Sequence, residues 1–271
     1  MGMKAMFEEF FGMTATPFTN SIPSGNMYLS CVMKEALGRL YFAAQHRMFA
    51  VVTSDVGCGK TTTIRKFAND IDKQKYEVLY IANSNLRPGW FYKGMLRQMG
   101  VEPKFYRDAA SRQLHHELEI IRCVQHREVI CIVDEAHLLA KETLEEIRFL
   151  LNSKMDSENP LTLILVGQNE LWEKLKLQSY AAVRQRIDIK CELPQYDRAD
   201  TGRYVASHLK YAGCEREIFT EKALDEVYHY SAGAARAVNK VCMHSLICAA
   251  QRKENLIDDH LVRDVVESEL P

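Results

Sequence analysis

The stretch "VVTSDVGCGKTTT", residues 51–63, decides how this chain folds. An apolar, β-branched run enters a glycine-containing turn and leaves it at Lys60 with threonines behind. A turn between a buried strand and a helix aims several backbone N–H groups at one point, and the helix N-terminus adds its positive dipole end. That arrangement suits a polyphosphate. Gly57 and Gly59 allow close backbone approach, Lys60 can reach the β- and γ-phosphates, and Thr61 can offer its hydroxyl to Mg²⁺. The candidate ATP-contacting residues are therefore Ser54, Asp55, Val56, Gly57, Cys58, Gly59, Lys60, Thr61 and Thr62. Ser54 stands where the pattern G-x-x-x-x-G-K-[ST] has its first glycine. If position 54 requires φ > 0, serine there costs roughly 1 kcal/mol; if it does not, the hydroxyl is tolerated.

Outward from this loop, apolar strand-like runs recur at 48–53, 76–82, 129–134, 161–167 and 187–193, with helical spacing between them. The segments 60–73 and 109–126 carry that spacing, as do Leu144, Ile147, Leu150 and Leu151. Continuous apolar strands alternating with helices predict an α/β fold with a parallel sheet covered on both faces. After Pro194 the strand signals stop and amphipathic helices follow at about 197–210, 220–230, 233–251 and 258–268. The expected organisation is an N-terminal strap and helix (1–47), an α/β domain (48–195) and a helical lid (196–271).

Composition narrows the class. With 47% apolar and 26% charged residues, the 271-residue chain is globular and large enough for one big core or two modest ones. Its 35 basic and 36 acidic residues nearly cancel, so affinity for nucleic acid has to come from local patches. The eight cysteines include no C-x-x-C pair and read as reduced thiols of a cytoplasmic protein, with no metal held by cysteine. The start "MGMKAMFEEFFGM" has acidic residues where a leader would have its apolar core, and no run approaches the ~20 apolar residues of a membrane span, so no membrane partner is expected.

Further polar residues stand at strand ends. "VICIVDEAH" (129–137) closes an apolar run with Asp134, a candidate Mg²⁺ holder, and Glu135, a candidate for polarising the attacking water. "LTLILVGQNE" (161–170) ends in Gln168 and Asn169, of which Gln168 is the first choice for the γ-phosphate or lytic water. "AAVRQRIDI" (181–189) offers Arg184 and Arg186, and "SAGAARAVNK" (231–240) offers Arg236; a guanidinium near the γ-phosphate stabilises transition-state charge.

In this order, the motifs resemble those of an AAA+ ATPase. "MFEEFFGMTATPF", "MYLSCVMKEALGRLYFA", "GCGKTT", "IVDEAHLL", "LILVGQNEL", "RQRI" and "GAARAVN" resemble the ExeA-type ATPases over nearly the whole chain, a type that includes transposition regulators of the TniB and TnsC kind and, more distantly, MuB. The resemblance implies a P-loop core with strand order 5-1-4-3-2, a helical lid, and ATP with Mg²⁺ bound between subunits of a homo-oligomer, ring or filament. It places Gln168 at sensor 1, Arg186 at the arginine finger with Arg184 as rival, and Arg236 at sensor 2. It leaves adenine recognition unassigned, with "PFTNSIPSGNMYLS" (17–30) as a candidate strap over the base. Secretion-type members continue past the ATPase into a membrane span and a wall-binding region, whereas this sequence stops at Pro271. The expectation is therefore an ATPase that assembles on double-stranded DNA as partner of a transposase, with or without a target-selecting protein; the alternative is a secretion-assembly ATPase that ignores DNA.

The DNA reading needs a surface. "NLRPGWFYKGMLRQMGVEPKFYRDAASRQ" (85–113) interleaves Arg87, Lys93, Arg97, Lys104, Arg107 and Arg112 with Trp90, Phe91, Tyr92, Phe105 and Tyr106. In related transposition regulators the corresponding region faces DNA. Basic side chains there would bind phosphates without reading sequence. The competing reading puts the aromatics in the core and the charges in water.

Overall fold

The computed structural model describes residues 6–19, 21–82, 87–151 and 159–270. Asn20 of the strap, Asn85 and Leu86 of the basic segment, and residues 1–5 lie outside the described residues. By backbone proximity the chain forms two compact units, Met33–Asp55 with Lys60–Leu193, and Met1–Val32 with Val56–Gly59 and Pro194–Pro271.

The first unit is built on five parallel strands, β1 (Phe49–Ser54), β2 (Tyr76–Ile81), β3 (Glu128–Val133), β4 (Thr162–Gly167) and β5 (Ile189–Leu193), in the order β2-β3-β4-β1-β5. This is the expected order, and the bounds differ from the apolar runs by two residues at most. β1 and β4 are buried at every position, while the edges β2 and β5 are partly open, as a sheet covered on both faces requires.

Alternate residues face opposite layers. Phe49, Val51, Val129, Cys131, Val133, Leu163 and Leu165 share a core with α4 (Pro88–Gln98), α5 (Arg107–Cys123), α6 (Lys141–Leu151), α7 (Asn169–Lys176) and α8 (Ala181–Arg184). On the other side, α2 (Cys31–His46) and α3 (Lys60–Asp70) meet through Tyr41 and Phe67, with ring centroids 5.2 Å apart. Thr162 of β4 donates there to the carbonyls of Ala43 and Ala44 at 3.4 Å. Each fully buried large apolar side chain contributes roughly 1.5–3 kcal/mol.

The second unit is helical: α1 (Met6–Phe11), α9 (Arg198–Tyr211), α10 (Glu221–Ser231), α11 (Ala235–Arg252) and α12 (Asp259–Glu269). Side chains that accept from the otherwise unpaired first-turn N–H groups start three of them. Asp197 accepts from Asp200 N at 2.6 Å, Thr220 from Ala223 N at 3.1 Å and Asp258 from Leu261 N at 2.9 Å. Such caps contribute about 1 kcal/mol each. The strap is anchored on α9: Phe18 N–H donates to His208 Nδ1 at 3.0 Å and its ring stacks on the imidazole, while the Tyr28 hydroxyl donates to Asp200. Burial pushes His208 down to about 4, which keeps it neutral and able to accept that bond.

All eight cysteines are free; six are buried, and Cys31 and Cys123 are exposed. Among the described residues no helix is long and apolar enough to cross a membrane.

Candidate nucleotide site

β1 ends at Ser54, α3 begins at Lys60, and the turn between them carries φ +81° at Gly57 and +89° at Gly59. Side chains other than glycine rarely adopt those angles. Gly57 is also crowded: a β-carbon there would lie 3.1 Å from Arg236 Cβ, and its carbonyl accepts from Arg236 N–H at 3.2 Å. Arg236 itself is exposed in the first turn of α11.

Ser54 needs no left-handed angle. It is the last residue of β1, paired with Leu193 and buried. Its hydroxyl donates to Asp55 O at 2.9 Å and accepts from Lys60 Nζ at 3.2 Å. The departure from glycine is thus free of backbone strain, and the extra oxygen touches the lysine. Lys60 is buried, and its ammonium also donates to Ser54 O and Asp55 O, each at 3.0 Å. Burying a charge requires such partners.

At the end of β3, Asp134 is buried and organised. Oδ1 accepts from Glu135 N–H at 2.9 Å, and Oδ2 accepts from Thr61 Oγ1 at 3.4 Å and from the Tyr80 hydroxyl at 2.6 Å. Burial, and next the bond to Asp134, raise the Tyr80 phenol well above its ordinary range, so it stays a donor. Thr61 and Asp134 present hard oxygen donors together, the set that Mg²⁺ accepts. The chain then turns sharply: Glu135 has φ +51°, an angle that costs a non-glycine residue about 1 kcal/mol or more. This turn leaves Asp134 buried while the Glu135 side chain is 44% exposed. Glu135 Oε2 lies 3.4 Å from His137 Nδ1, the same nitrogen that accepts from Gln168 N–H at 3.4 Å.

Gln168 precedes α7 and is half-buried, whereas Asn169 donates to Asp55 Oδ1 at 2.6 Å and so touches the phosphate loop. Of the two arginines before β5, Arg184 donates to the last carbonyls of α7, Leu175 O at 2.8 Å and Lys176 O at 2.6 Å. That occupies it as a helix C-cap. Arg186 is half-buried.

The α4–α5 segment divides its aromatics. Phe91 and Tyr92 are buried, as the core reading expects, while Trp90, Phe105 and Tyr106 are 51%, 80% and 74% exposed. Lys93 lies 5.6 Å from the Trp90 ring centroid and 5.1 Å from that of Phe105, and Arg97 lies 5.6 Å from Trp90. Arg87, Lys104 and Arg112 are exposed. Arg107 is held by carboxylates instead, 3.2 Å from both Asp108 and Glu146.

Sequence reading missed Tyr80, Asn169's contact with Asp55, and Gln98, which pairs with the backbone of Tyr80. One signal was present for Tyr80: alternation in "YEVLYI" sets it on the face opposite the buried Leu79 and Ile81.

Residues 43–175 match the family model described as an AAA domain. The chain is 30% identical over 256 residues to general secretion pathway protein A of Aeromonas hydrophila, covering 93% of this chain and 46% of that protein. It therefore spans about half the length of the curated relative it matches. Among solved structures, Cdc6p from Pyrobaculum aerophilum superposes with a TM-score of 0.70 at 18% identity, over 93% of this chain and 70% of the other. Drosophila ORC bound to DNA superposes with a TM-score of 0.65 at 18% identity, over 97% and 65%. At such identity these likenesses establish the fold. With the all-parallel sheet, the strand order and the loop, they place the chain on the α/β P-loop fold of AAA proteins, and residues 43–175 are the part similar to the AAA domain.

Proposed function

We propose that this chain is a Mg²⁺-dependent ATPase whose nucleotide state controls its assembly on double-stranded DNA. The observation that carries the ATPase reading is the convergence of Thr61 Oγ1 and the Tyr80 hydroxyl on buried Asp134, with Lys60 one residue before Thr61 and exposed Glu135 one residue after Asp134. Gly57 to Lys60 would cradle the phosphates, and Thr61 and Asp134 would hold Mg²⁺. Bound there, the ion neutralises phosphate charge. Glu135 would take the proton of the attacking water, and Gln168 or Asn169 would orient that water. Arg186 is the proposed finger reaching a neighbouring subunit, with Arg184, which donates to carbonyls of α7, as its rival; Arg236 is the proposed lid arginine.

DNA is the favoured partner because Lys93 and Arg97 lie beside exposed rings and, among the described residues, have no carboxylate partner. A structure sharing this fold is that of ORC bound to DNA. On this reading the homo-oligomer marks a DNA target for a transposase, with or without a target-selecting protein. The similarity to general secretion pathway protein A supports a second reading, an ATPase for secretion assembly without DNA. Oligomer size and ATPase rate, measured with ATP, with and without double-stranded DNA at two salt concentrations, separate them. Salt-sensitive stimulation by DNA is expected; DNA-independent behaviour selects the secretion reading, and absence of hydrolysis in every condition removes both.

A further inference from the structure

β2 is an edge strand, so among the described residues the N–H and C=O groups on its outer side have no strand to pair with. At Tyr80 one side chain meets both. Tyr80 N–H donates to Gln98 Oε1 at 2.7 Å, and Gln98 Nε2 donates to Tyr80 O at 2.7 Å. This primary amide takes the place of a neighbouring strand and fixes Tyr80 in register. Gln98 is the last residue of α4, the helix that carries Trp90, Lys93 and Arg97. At its other end Tyr80 reaches the site, its hydroxyl donating to Asp134 Oδ2. Asp134 thus has a donor on each oxygen, Glu135 N–H on Oδ1 and the phenol on Oδ2, and these set the carboxylate plane. Without the phenol, that plane is held on Oδ2 only by the longer contact from Thr61.

We infer that Tyr80 is the positioning residue for the carboxylate that holds the metal, and that Gln98 ties it to α4, so that a displacement of α4 is felt at Asp134. The inference rests on the Mg²⁺-ATP reading of the site.

The test is a Mg²⁺ titration of the binding of a fluorescent ATP analogue by the full chain, wild type against Tyr80→Phe, Gln98→Leu and Gln98→Glu, repeated in EDTA. Phenylalanine keeps the ring and removes only the donor. Removing a group that orients a metal ligand typically weakens the metal about tenfold, so Tyr80→Phe should raise the half-saturating Mg²⁺ by about that factor while affinity in EDTA stays as in wild type. Gln98→Leu should shift it in the same direction, and Gln98→Glu, which accepts from Tyr80 N–H but cannot donate to Tyr80 O, should fall between. A Tyr80→Phe titration that superimposes on wild type overturns the inference, as does an equal loss of affinity with and without Mg²⁺, the mark of a merely structural role. Gln98→Leu superimposing on wild type overturns the tie to α4. A wild type that does not bind the analogue overturns the nucleotide reading and this inference with it; one that binds with Tyr80→Phe unchanged overturns the inference alone.

Discussion

The end of the sheet around Lys60 and Asp134 and the face formed by α4 and α5 use similar residue types under opposite conditions. Lys60 is buried among oxygens of its own loop, and Asp134 takes donors from three residues. Lys93 and Arg97 lie over rings exposed to solvent. A charge in a fixed turn is oriented before any ligand arrives and forms strong bonds in a low dielectric; a charge on a surface takes its role from whatever approaches. The difference teaches that the first region should fail sharply and locally when one atom is changed, and the second gradually and in proportion to charge.

The largest expected effect is at Glu135. Glu135→Gln preserves shape and removes the proposed base, so the hydrolysis rate should fall by about 10²–10⁴-fold while ATP binding persists. On the assembly reading this variant stays on DNA, and dissociation as fast as wild type in a filter or gel assay would show that hydrolysis does not time release. Next comes Lys60→Ala, which removes the proposed charged donor to the phosphates; a charge-assisted bond of about 2–3 kcal/mol predicts roughly a 30- to 150-fold weaker Kd for ATP by calorimetry. A change below threefold would mean that the buried lysine belongs to the loop's own packing.

On the other face the effect is graded. Lys93→Ala with Arg97→Ala should lower the slope of log affinity for double-stranded DNA against log salt by about 2, with ATP affinity unchanged. A loss of ATP affinity in that variant would break the separation between the regions. The smallest effect belongs to Ser54→Gly. Because Ser54 has an ordinary strand backbone, Kd for ATP should change by less than about threefold, and stability should fall by about 0.5–1 kcal/mol from glycine in a strand. A large gain in affinity would show that the serine hydroxyl holds Lys60 away from the phosphates.

The two regions were also unequally legible. The strands, the loop from Gly57 to Thr61 and the Asp134–Glu135 pair could be read directly, because each depends on residues adjacent in the chain: apolar runs, glycines at left-handed positions, carboxylates at a strand end. The strand order came from family resemblance, since pairing between strands is not written in any one of them. In 85–113, five aromatics in a basic context could not be sorted by type. Helical periodicity in α4 turns Phe91 and Tyr92 inward and leaves Trp90 outside, and Phe105 and Tyr106 precede α5 and lie in solvent.

What the sequence determined by itself was a phosphate-type turn between a buried strand and a helix, with Lys60 and Thr61 at its exit, because backbone angles and side-chain chemistry over a dozen residues suffice for that. Only the tertiary structure decided that Ser54 carries no strain, that Arg184 caps α7, that Arg107 is neutralised by Glu146, and that Tyr80 reaches Asp134. Apart from Ser54, whose angle is set by its pairing in the sheet, and Arg184, which turns back on carbonyls eight and nine residues before it, each of these is a contact between groups far apart in the chain. Such contacts exist only once the strands have paired and the helices have packed against them.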